Sequence, residues 1–179
     1  FFSILLTLCR KACYLFLSPY FYIQSPRQLE FFEMIRHGKG PIIGGGENVR
    51  SMAYIDNLAQ GLILAAITAA ACGRTYWVAD EHPYSMNMII NTIERLLATE
   101  FGQQCDYGRL RLPGFVSELA LAADKSLQKL GLYHQKVHVL SEMNKNIACS
   151  ISRAQLELGY CPSISLEEGM RRSLRDFYS

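Results

Sequence analysis

The feature that most constrains the fold is an alanine-rich apolar run, NLAQGLILAAITAAA, at residues 57–71. An uncharged run of this length predicts a buried helix. Asp56 stands just before the run as a candidate N-cap, and Gly73 follows it as a helix stop. The next residues, RTYWVAD at 74–80, have the β-branched and aromatic content of a strand, and their apolar character suggests a sheet covered on both faces. A buried helix followed by such a strand favours a layered α/β fold.

The alternation of helix and strand continues along the chain. Apolar residues at helical spacing that end at a glycine occur three times, at residues 27–38, 86–101 and 115–130. Residues 108–113, GRLRLP, are predicted to form a strand between the last two of these helices. This order supports the α/β class, although it leaves open whether the strands pair in parallel.

Capping residues mark the beginnings of several predicted helices. Ser85 is the expected N-cap of the helix that follows it. Two capping boxes, Ser152 with Gln155 and Ser165 with Glu168, predict the last two helices of the chain.

Residues 41–55, PIIGGGENVRSMAYI, are interpreted as two short strands joined by a glycine-rich turn. A Walker loop requires Lys and then Ser or Thr after its last glycine, whereas Glu47 and Asn48 follow Gly46. The dinucleotide fingerprint GxGxxG would need its third glycine where Val49 stands. Because neither phosphate-binding motif fits, the glycines are predicted to form a structural turn with positive φ.

Arg50 is the residue of chemical interest in this stretch. It lies at the start of the second predicted strand, and a guanidinium held at a strand end offers a bidentate fork for a diphosphate or a carboxylate. The alternative is a structural salt bridge with Glu47 or another neighbouring acid.

Composition limits the classes of partner. The 179 residues are 50% hydrophobic and 19% charged, which is typical of a globular protein with a real core. A formal net charge of +2 without a basic tract argues against nucleic acid and favours a small molecule as the partner. The six cysteines show neither a CxxC pair nor zinc-type histidine spacing, which predicts reduced, buried thiols in a cytoplasmic protein and no metal site.

Residues 1–25 form a hydrophobic segment that differs in character from residues 26–179. Arg10 and Lys11 divide residues 1–23 into apolar pieces of about ten residues, shorter than the roughly 20 that a membrane-spanning helix needs. Buried elements of a larger fold are the favoured interpretation. A membrane-surface segment at residues 1–23 is the alternative, with a membrane-associated protein as its consequence.

Four segments carry a family resemblance, at residues 44–66, 73–80, 84–97 and 152–174: GGGENVRSMAYIDNLAQGLILAA, GRTYWVAD, YSMNMIINTIERLL and SRAQLELGYCPSISLEEGMRRSL. In this order and spacing, residues 26–179 resemble the C-terminal half of the extended short-chain dehydrogenases/reductases, the NAD-dependent epimerase/dehydratase family. The resemblance implies the C-terminal part of a Rossmann-type α/β fold with its smaller substrate-binding domain. It also implies NAD or NADP as the cofactor of the complete protein, and homodimerisation through helices that lie before this region.

The resemblance also assigns roles to single residues. Arg50 matches the arginine that contacts the substrate diphosphate in nucleotide-sugar members, and Asp56 matches the acid at the start of the next helix, where its role is structural. Tyr20 falls on the tyrosine beside the nicotinamide, although Phe21 and Tyr22 stand where the family has Gly and Pro. The family's Tyr-x-x-x-Lys catalytic pair occurs nowhere in these residues, so no catalytic residue is expected here and the chain alone is not expected to hold the cofactor.

Two functions stay open at this point. The first is the C-terminal portion of an NAD(P)-dependent oxidoreductase or epimerase, for which Arg50 favours a nucleotide sugar and the hydrophobic opening segment favours a sterol-like alcohol. The second is a truncated or mis-spliced product without catalysis. The missing cofactor loop and the divergence of residues 1–25 motivate the second hypothesis.

Overall fold

The computed structural model describes residues 2–6, 13–17, 26–129, 131–132 and 143–178. The strands are Phe2–Leu6 (β1), Cys13–Leu17 (β2), Pro41–Ile43 (β3), Val49–Arg50 (β4), Thr75–Val78 (β5), Tyr84–Ser85 (β6) and Leu110–Leu112 (β7). The α-helices are Pro26–Arg36 (α1), Ile55–Ile67 (α2), Met86–Thr99 (α3), Gly114–Lys129 (α4), Ser152–Leu158 (α5) and Leu166–Tyr178 (α6). A short 3-10 turn, Ala69–Ala71, follows α2.

Within the described residues, the strands pair in three small sheets. One sheet has the order β1-β2-β5, with β1 antiparallel to β2 and β2 parallel to β5. In the second sheet β3 lies parallel to β7, and the third sheet pairs β4 with β6. Strand pairs that are parallel and separated by helices confirm the predicted α/β class. The predicted strand before the glycine turn is present as β3. The strand predicted after it, as far as Ile55, is wrong beyond Arg50, because β4 has only two residues and α2 already begins at Ile55. Strands β3 and β4 each pair with a different, distant strand.

The chain divides into two compact units. The first unit comprises Phe1–Leu29, Arg50–Tyr84 and Ala148–Ser179, and the second comprises Glu30–Val49 and Ser85–Ile147.

In the first unit, α2 and α5 pack against one side of β5. Tyr76 and Val78 point to this side and are fully buried. Gly61 permits the close approach, because its Cα faces the methyl groups of Val78 and the ring of Tyr160. The Tyr76 hydroxyl donates to Glu157 Oε2 of α5 at 2.6 Å. The helix and the strand that the apolar run predicted thus form the core of this unit.

In the second unit, the predicted apolar stripe of α3 is buried as expected. The stripe consists of Met86, Ile89, Ile90, Ile93, Leu96 and Leu97. Glu94 is also buried, on the same helix, and it is compensated by the guanidinium of Arg109. Arg109 Nη2 donates to Glu94 Oε2 at 2.6 Å and to Asn91 Oδ1 at 2.8 Å. A buried carboxylate is tolerated in this core because its charge and its lone pairs are both matched.

Two of the predicted caps are confirmed. Ser85 Oγ accepts from the backbone N–H of Met88 at 3.1 Å, and Ser165 Oγ accepts from that of Glu168 at 3.4 Å.

The caps predicted at Asp56 and Ser152 are wrong. Helix α2 already begins at Ile55, after an extended Tyr54, so Asp56 lies inside the first turn and does not cap the helix. Helix α5 begins at Ser152 itself, with Ile151 in the N-cap position. In both cases the turn into the helix comes one or two residues before the polar side chain.

The solvent exposure of three residues also differs from expectation. Trp77 is 37% exposed on the side of β5 that faces away from α2, so that side is not fully covered. Cys72 and Cys161 are exposed free thiols, so the prediction that the cysteines are buried is wrong for these two.

Gly61→Ala is expected to lower the free energy of unfolding by about 1–3 kcal/mol. The added Cβ would lie 2.7 Å from Val78 Cγ1 and 3.0 Å from Val78 Cγ2. This overlap outweighs the gain of about 1 kcal/mol in helix propensity. Urea unfolding of the two proteins measures the difference.

The matched control is the same change in a Val78→Ala background, where both methyl groups are gone. The cost of Gly61→Ala should then disappear, because the two sites are in contact. An equal cost in the two backgrounds would contradict the packing described for β5 and α2.

Candidate functional site

The glycine turn at residues 44–46 is fixed to the start of α3 by one side chain. Asn87 Nδ2 donates to the carbonyl oxygen of Gly45 at 2.9 Å and to Glu47 Oε1 at 2.7 Å. Gly44 and Gly46 have φ values of 65° and 75°, and a Cβ at Gly46 would collide with the Asn87 side chain. The turn requires glycine both for its backbone conformation and for this close contact.

The amides at the start of α3 are already used within the fold. Met86 N donates to the carbonyl oxygen of Asn48 at 3.1 Å, and Asn87 N donates to that of Gly46 at 3.1 Å. The next amide, Met88 N, is capped by Ser85. An anion-binding helix start needs amides that point outward to a ligand, so this turn does not fit the pyrophosphate of a dinucleotide.

Arg50 ends β4 and is buried, with 9% of its surface exposed. Its side chain or backbone interacts with another residue of the fold. The next residue, Ser51, is also buried, and its Oγ accepts from the backbone N–H of Cys149 at 3.0 Å. Arg50 is therefore held in a well-packed stretch of backbone rather than on an open loop.

The other residues named by the resemblance are placed as follows. Asp56 is exposed on α2, and its Oδ2 accepts from Arg172 Nη1 of α6 at 3.0 Å, which is a structural contact between two helices. Tyr20 lies outside the described residues.

A network that the sequence patterns did not indicate is built around Asn57. Its Nδ2 donates to Asp80 Oδ1 at 2.9 Å and to the carbonyl oxygen of Ile164 at 2.8 Å. Its Oδ1 accepts from the backbone N–H groups of Ser163 and Ile164, each at 3.1 Å. All four hydrogen-bonding positions of this buried amide are thus filled. The amide joins the start of α2 to the end of β5 and to the linker before α6.

A cavity of about 150 Å³ lies beside this network. Its lining is Asp80, Glu81, His82, Tyr84, Pro162, Ser163, Ile164 and Ser165. The cavity is at the carboxyl end of the parallel strand β5, which is the edge where α/β sheets commonly bind ligands.

Asp80 and Tyr84 are the titratable groups of this cavity whose pKa values are altered most. Burial raises the pKa of Asp80 to about 6, against hydrogen bonds from Asn57, Tyr84 and the backbone of Tyr54 that act to lower it. Burial, followed by the Asp80 charge, raises the pKa of Tyr84 to about 12. The Asp80 carboxyl can therefore gain or lose a proton near neutral pH, whereas the Tyr84 hydroxyl stays protonated.

Two signals in the sequence could have indicated this network. Asn57 is a polar residue at the start of an otherwise apolar helix, and buried polar groups need partners. Asp80 follows directly on a buried strand, at the carboxyl end where ligand-binding residues collect. The sequence could not indicate that residues 163–164 lie close to Asn57 and Asp80.

Among the described residues, no group of three or more His, Cys, Asp or Glu side chains is arranged to hold a metal ion. Within the same part of the chain, no helix has both the length and the hydropathy to cross a membrane.

The free energy of unfolding is expected to fall as the pH rises from about 4 to 6, through a contribution from Asp80. The folded protein binds the Asp80 proton more tightly than the unfolded chain, where the pKa has its ordinary value of 3.8. The contribution is therefore fully present below pH 3.8, is lost as the pH passes 6, and amounts to about 3 kcal/mol.

Asp80→Asn should remove this contribution, so the difference in unfolding free energy between wild type and variant should change across the same pH range. Glu81→Gln is the control, because Glu81 is an exposed neighbouring carboxylate. A wild-type-minus-Asp80→Asn difference that stays constant from pH 4 to 7 would be evidence against the raised pKa.

Comparison with known proteins gives relatives by sequence. No protein-family model matches the chain. The protein y4nL of Sinorhizobium fredii, which is uncharacterised, is 52% identical over 159 residues, covering 88% of this chain and 45% of the relative. A 2-alkyl-3-oxoalkanoate reductase of Shewanella oneidensis is 28% identical over 76% of this chain and 36% of its own length. Isoform 1 of 3beta-hydroxysteroid-dehydrogenase/decarboxylase from Arabidopsis thaliana is 26% identical over 79% of this chain and 34% of its own length.

Solved structures give the fold. UDP-glucuronic acid 4-epimerase from Bacillus cereus, in complex with NAD, has a TM-score of 0.60 at 17% identity over 92% of this chain. dTDP-glucose 4,6-dehydratase from Bacillus anthracis, also with NAD, has a TM-score of 0.56 at 14% identity over 91% of this chain. The chain spans 45% and 43% of these two proteins, and less than half of each relative by sequence.

The sequence relatives cover three quarters or more of this chain, and the solved structures cover about nine tenths of it. The chain resembles the extended short-chain dehydrogenases/reductases, the NAD-dependent epimerases and dehydratases, and has part of their Rossmann-type fold.

Proposed function

We propose that the complete protein containing this chain is an NAD(P)-dependent oxidoreductase that interconverts a secondary hydroxyl and a ketone on a largely apolar substrate. One observation carries this proposal. The relatives by sequence with an assigned activity are a 2-alkyl-3-oxoalkanoate reductase and a 3beta-hydroxysteroid-dehydrogenase/decarboxylase, at 28% and 26% identity. The two sugar-nucleotide enzymes share the fold at only 17% and 14% identity.

The proposed role of this chain is to bind the substrate. Arg50 is the candidate substrate-binding residue, because a guanidinium buried at a strand end has low solvent screening. Its bidentate geometry suits a carboxylate such as that of an oxoalkanoate.

The described residues of this chain do not form a binding site that fits the nicotinamide cofactor. The amides at the start of α3, beside the glycine turn, are used within the fold, and the sequence contains no Tyr-x-x-x-Lys pair. The proton-transfer and hydride-transfer groups therefore belong to the portion of the relatives that this chain does not span, and the 179-residue chain by itself is expected to show no turnover.

A nucleotide sugar is the second candidate substrate. It is supported by the epimerase and dehydratase folds and by the family match of Arg50 to a diphosphate-binding arginine. The two candidates differ in the anionic group that Arg50 would bind.

An assay of substrate preference tests the proposal. The chain is joined to the part of y4nL that lies outside the matched residues. The resulting fusion protein is assayed for activity with NAD and with NADP. The substrates are a 3β-hydroxysteroid, a 2-alkyl-3-oxoalkanoate and a UDP-sugar. Turnover of the first or second substrate supports the proposal, and turnover of the UDP-sugar alone would refute it.

Arg50→Ala in this joined protein is expected to raise KM for the 2-alkyl-3-oxoalkanoate by about tenfold or more, since a hydrogen bond to a charged group contributes about 1.5–3 kcal/mol. The value of kcat should change little. For the neutral 3β-hydroxysteroid, both constants should stay near those of the wild type, and this is the internal control for folding of a variant at a buried site.

Arg50→Lys is the second comparison, because it keeps the charge but loses the fork. Its KM for the oxoalkanoate should fall between those of wild type and Arg50→Ala. Equal losses of activity on the charged and the neutral substrate would assign Arg50 a structural role instead.

A further inference from the structure

The cavity beside the Asn57 network takes no part in the proposed binding of substrate by Arg50. All of its lining residues belong to the first unit. The side chains of the lining include two carboxyl groups, three hydroxyls and one imidazole, and among the described residues that form it there is neither Lys nor Arg. A lining of this composition favours a ligand that carries positive charge.

Among the described residues, the buried carboxyl group of Asp80 has only neutral partners. The residue is 6% exposed. Its carboxyl accepts hydrogen bonds from the Asn57 amide, the Tyr84 hydroxyl and the backbone of Tyr54. Buried charges in proteins are ordinarily paired, as Glu94 is with an arginine of the second unit. The surroundings of Asp80 therefore lack the positive charge that an ionised carboxylate at this depth would attract.

The Asp80 carboxylate also has room for a further hydrogen bond. A carboxylate has about four acceptor positions, and three donors reach this one, which leaves about one position open. Asp80 is part of the cavity lining, so a molecule in the cavity can reach it. An ammonium group carries one positive charge and three N–H donors. It would supply the missing charge and fill the open position, while the hydroxyls of Tyr84 and Ser163 accept its other hydrogens.

The size of the cavity limits the rest of the ligand. Its volume is about 150 Å³. A cavity of this volume holds a molecule of roughly six to eight non-hydrogen atoms. Pro162 and Ile164 add apolar surface to the lining, which suits a short alkyl chain attached to the ammonium group.

We propose that this cavity is a binding site for a primary ammonium group on a short alkyl chain, with Asp80 as the residue that binds its charge. The site takes a ligand of opposite charge to the anionic group proposed for Arg50. It does not depend on that proposal, because it is argued from the cavity and from the partners of Asp80 alone.

A titration with n-propylammonium chloride tests the site. The 179-residue chain is labelled with ¹³C at the aspartate side-chain carboxyl groups and studied by NMR at pH 7, where Asp80 is mostly ionised. We expect a saturable shift of the Asp80 resonance with a Kd on the order of 1–10 mM, as suits so small a ligand. Sodium chloride at equal ionic strength and propan-1-ol, which has a similar size and no charge, should give no saturable shift.

Two neighbouring carboxyl groups provide a matched pair of variants. Asp80→Asn keeps the shape of the side chain and should weaken binding at least tenfold, because it removes the charged acceptor. For this variant binding is followed by the amide resonances of the lining residues. Glu81→Gln removes a charge that is exposed at the same cavity, and it should change the Kd less than threefold because water and salt screen that charge.

A third variant keeps the test decisive if circular dichroism shows that Asp80→Asn does not fold. Ser163 is exposed and lines the cavity, so Ser163→Phe is designed to fill it while Asp80 stays in place. This change should also weaken binding at least tenfold.

The ammonium group can belong to a free amine or to a lysine side chain of another polypeptide segment. Nα-acetyl-lysine-N-methylamide is therefore titrated beside n-propylammonium. Tighter binding of the lysine derivative would assign the ammonium to a lysine, whereas tighter binding of n-propylammonium would assign it to a free amine. Both results support an ammonium site.

The inference would be overturned by the absence of a saturable shift with both amines, or by propan-1-ol binding as tightly as n-propylammonium. Equal losses with Asp80→Asn and Glu81→Gln would also overturn it, because they would indicate attraction to an acidic surface rather than a site at Asp80. Binding that survives Ser163→Phe would place the amine outside the cavity. None of these readings requires substrate, cofactor or turnover, so their outcome is separate from that of the proposed function.

Discussion

The buried amide of Asn57 is the interaction on which the first unit depends. With two donors and two acceptor positions all filled, it connects α2, the end of β5 and the linker before α6. Removing one partner would leave a buried polar group unsatisfied, which costs more than the bond itself contributes. The network also explains why Asp80 can be buried as a carboxylate, since Asn57 and Tyr84 both donate to it. The cavity beside Asp80 exists because this amide holds the linker at that distance from the strand.

The sequence predicted the elements well and their partners poorly. Helix α2, strand β5 and the stripe on α3 follow from apolar periodicity, which is a local property of the chain. The pairing of β3 with β7 does not, because it joins strands from distant parts of the sequence and leaves no mark on either one. Capping predictions succeeded at Ser85, where the backbone turns at the polar residue itself. They failed at Asp56, where the extended Tyr54 begins the helix earlier.

For the candidate site too, the sequence indicated individual residues but not the residues they contact. Arg50 and the glycine turn could be found from residue types and spacing, including the conclusion that the turn is structural. The partners of the turn could not, because Asn87 is an ordinary polar residue in an amphipathic helix until its contacts with Gly45 and Glu47 are known. Asn57 and Asp80 are separated by the whole of α2 and β5, so their contact follows from the packing of helix on strand and from nothing nearer in the sequence.

The short segment from Arg50 to Asn57 joins the candidate substrate-binding residue to the buried amide network. Ser51, Met52, Ala53 and Tyr54 are all buried, and Met52 O accepts from the backbone N–H of Asp80 at 2.7 Å. Because these four residues are buried, the backbone between Arg50 and the start of α2 has little freedom to move. A buried cation on an ordered backbone meets an anionic substrate group with little further loss of backbone entropy, which favours the proposed binding role. Asn57 and Arg50 thus stand at the two ends of a segment whose residues 51–54 are buried.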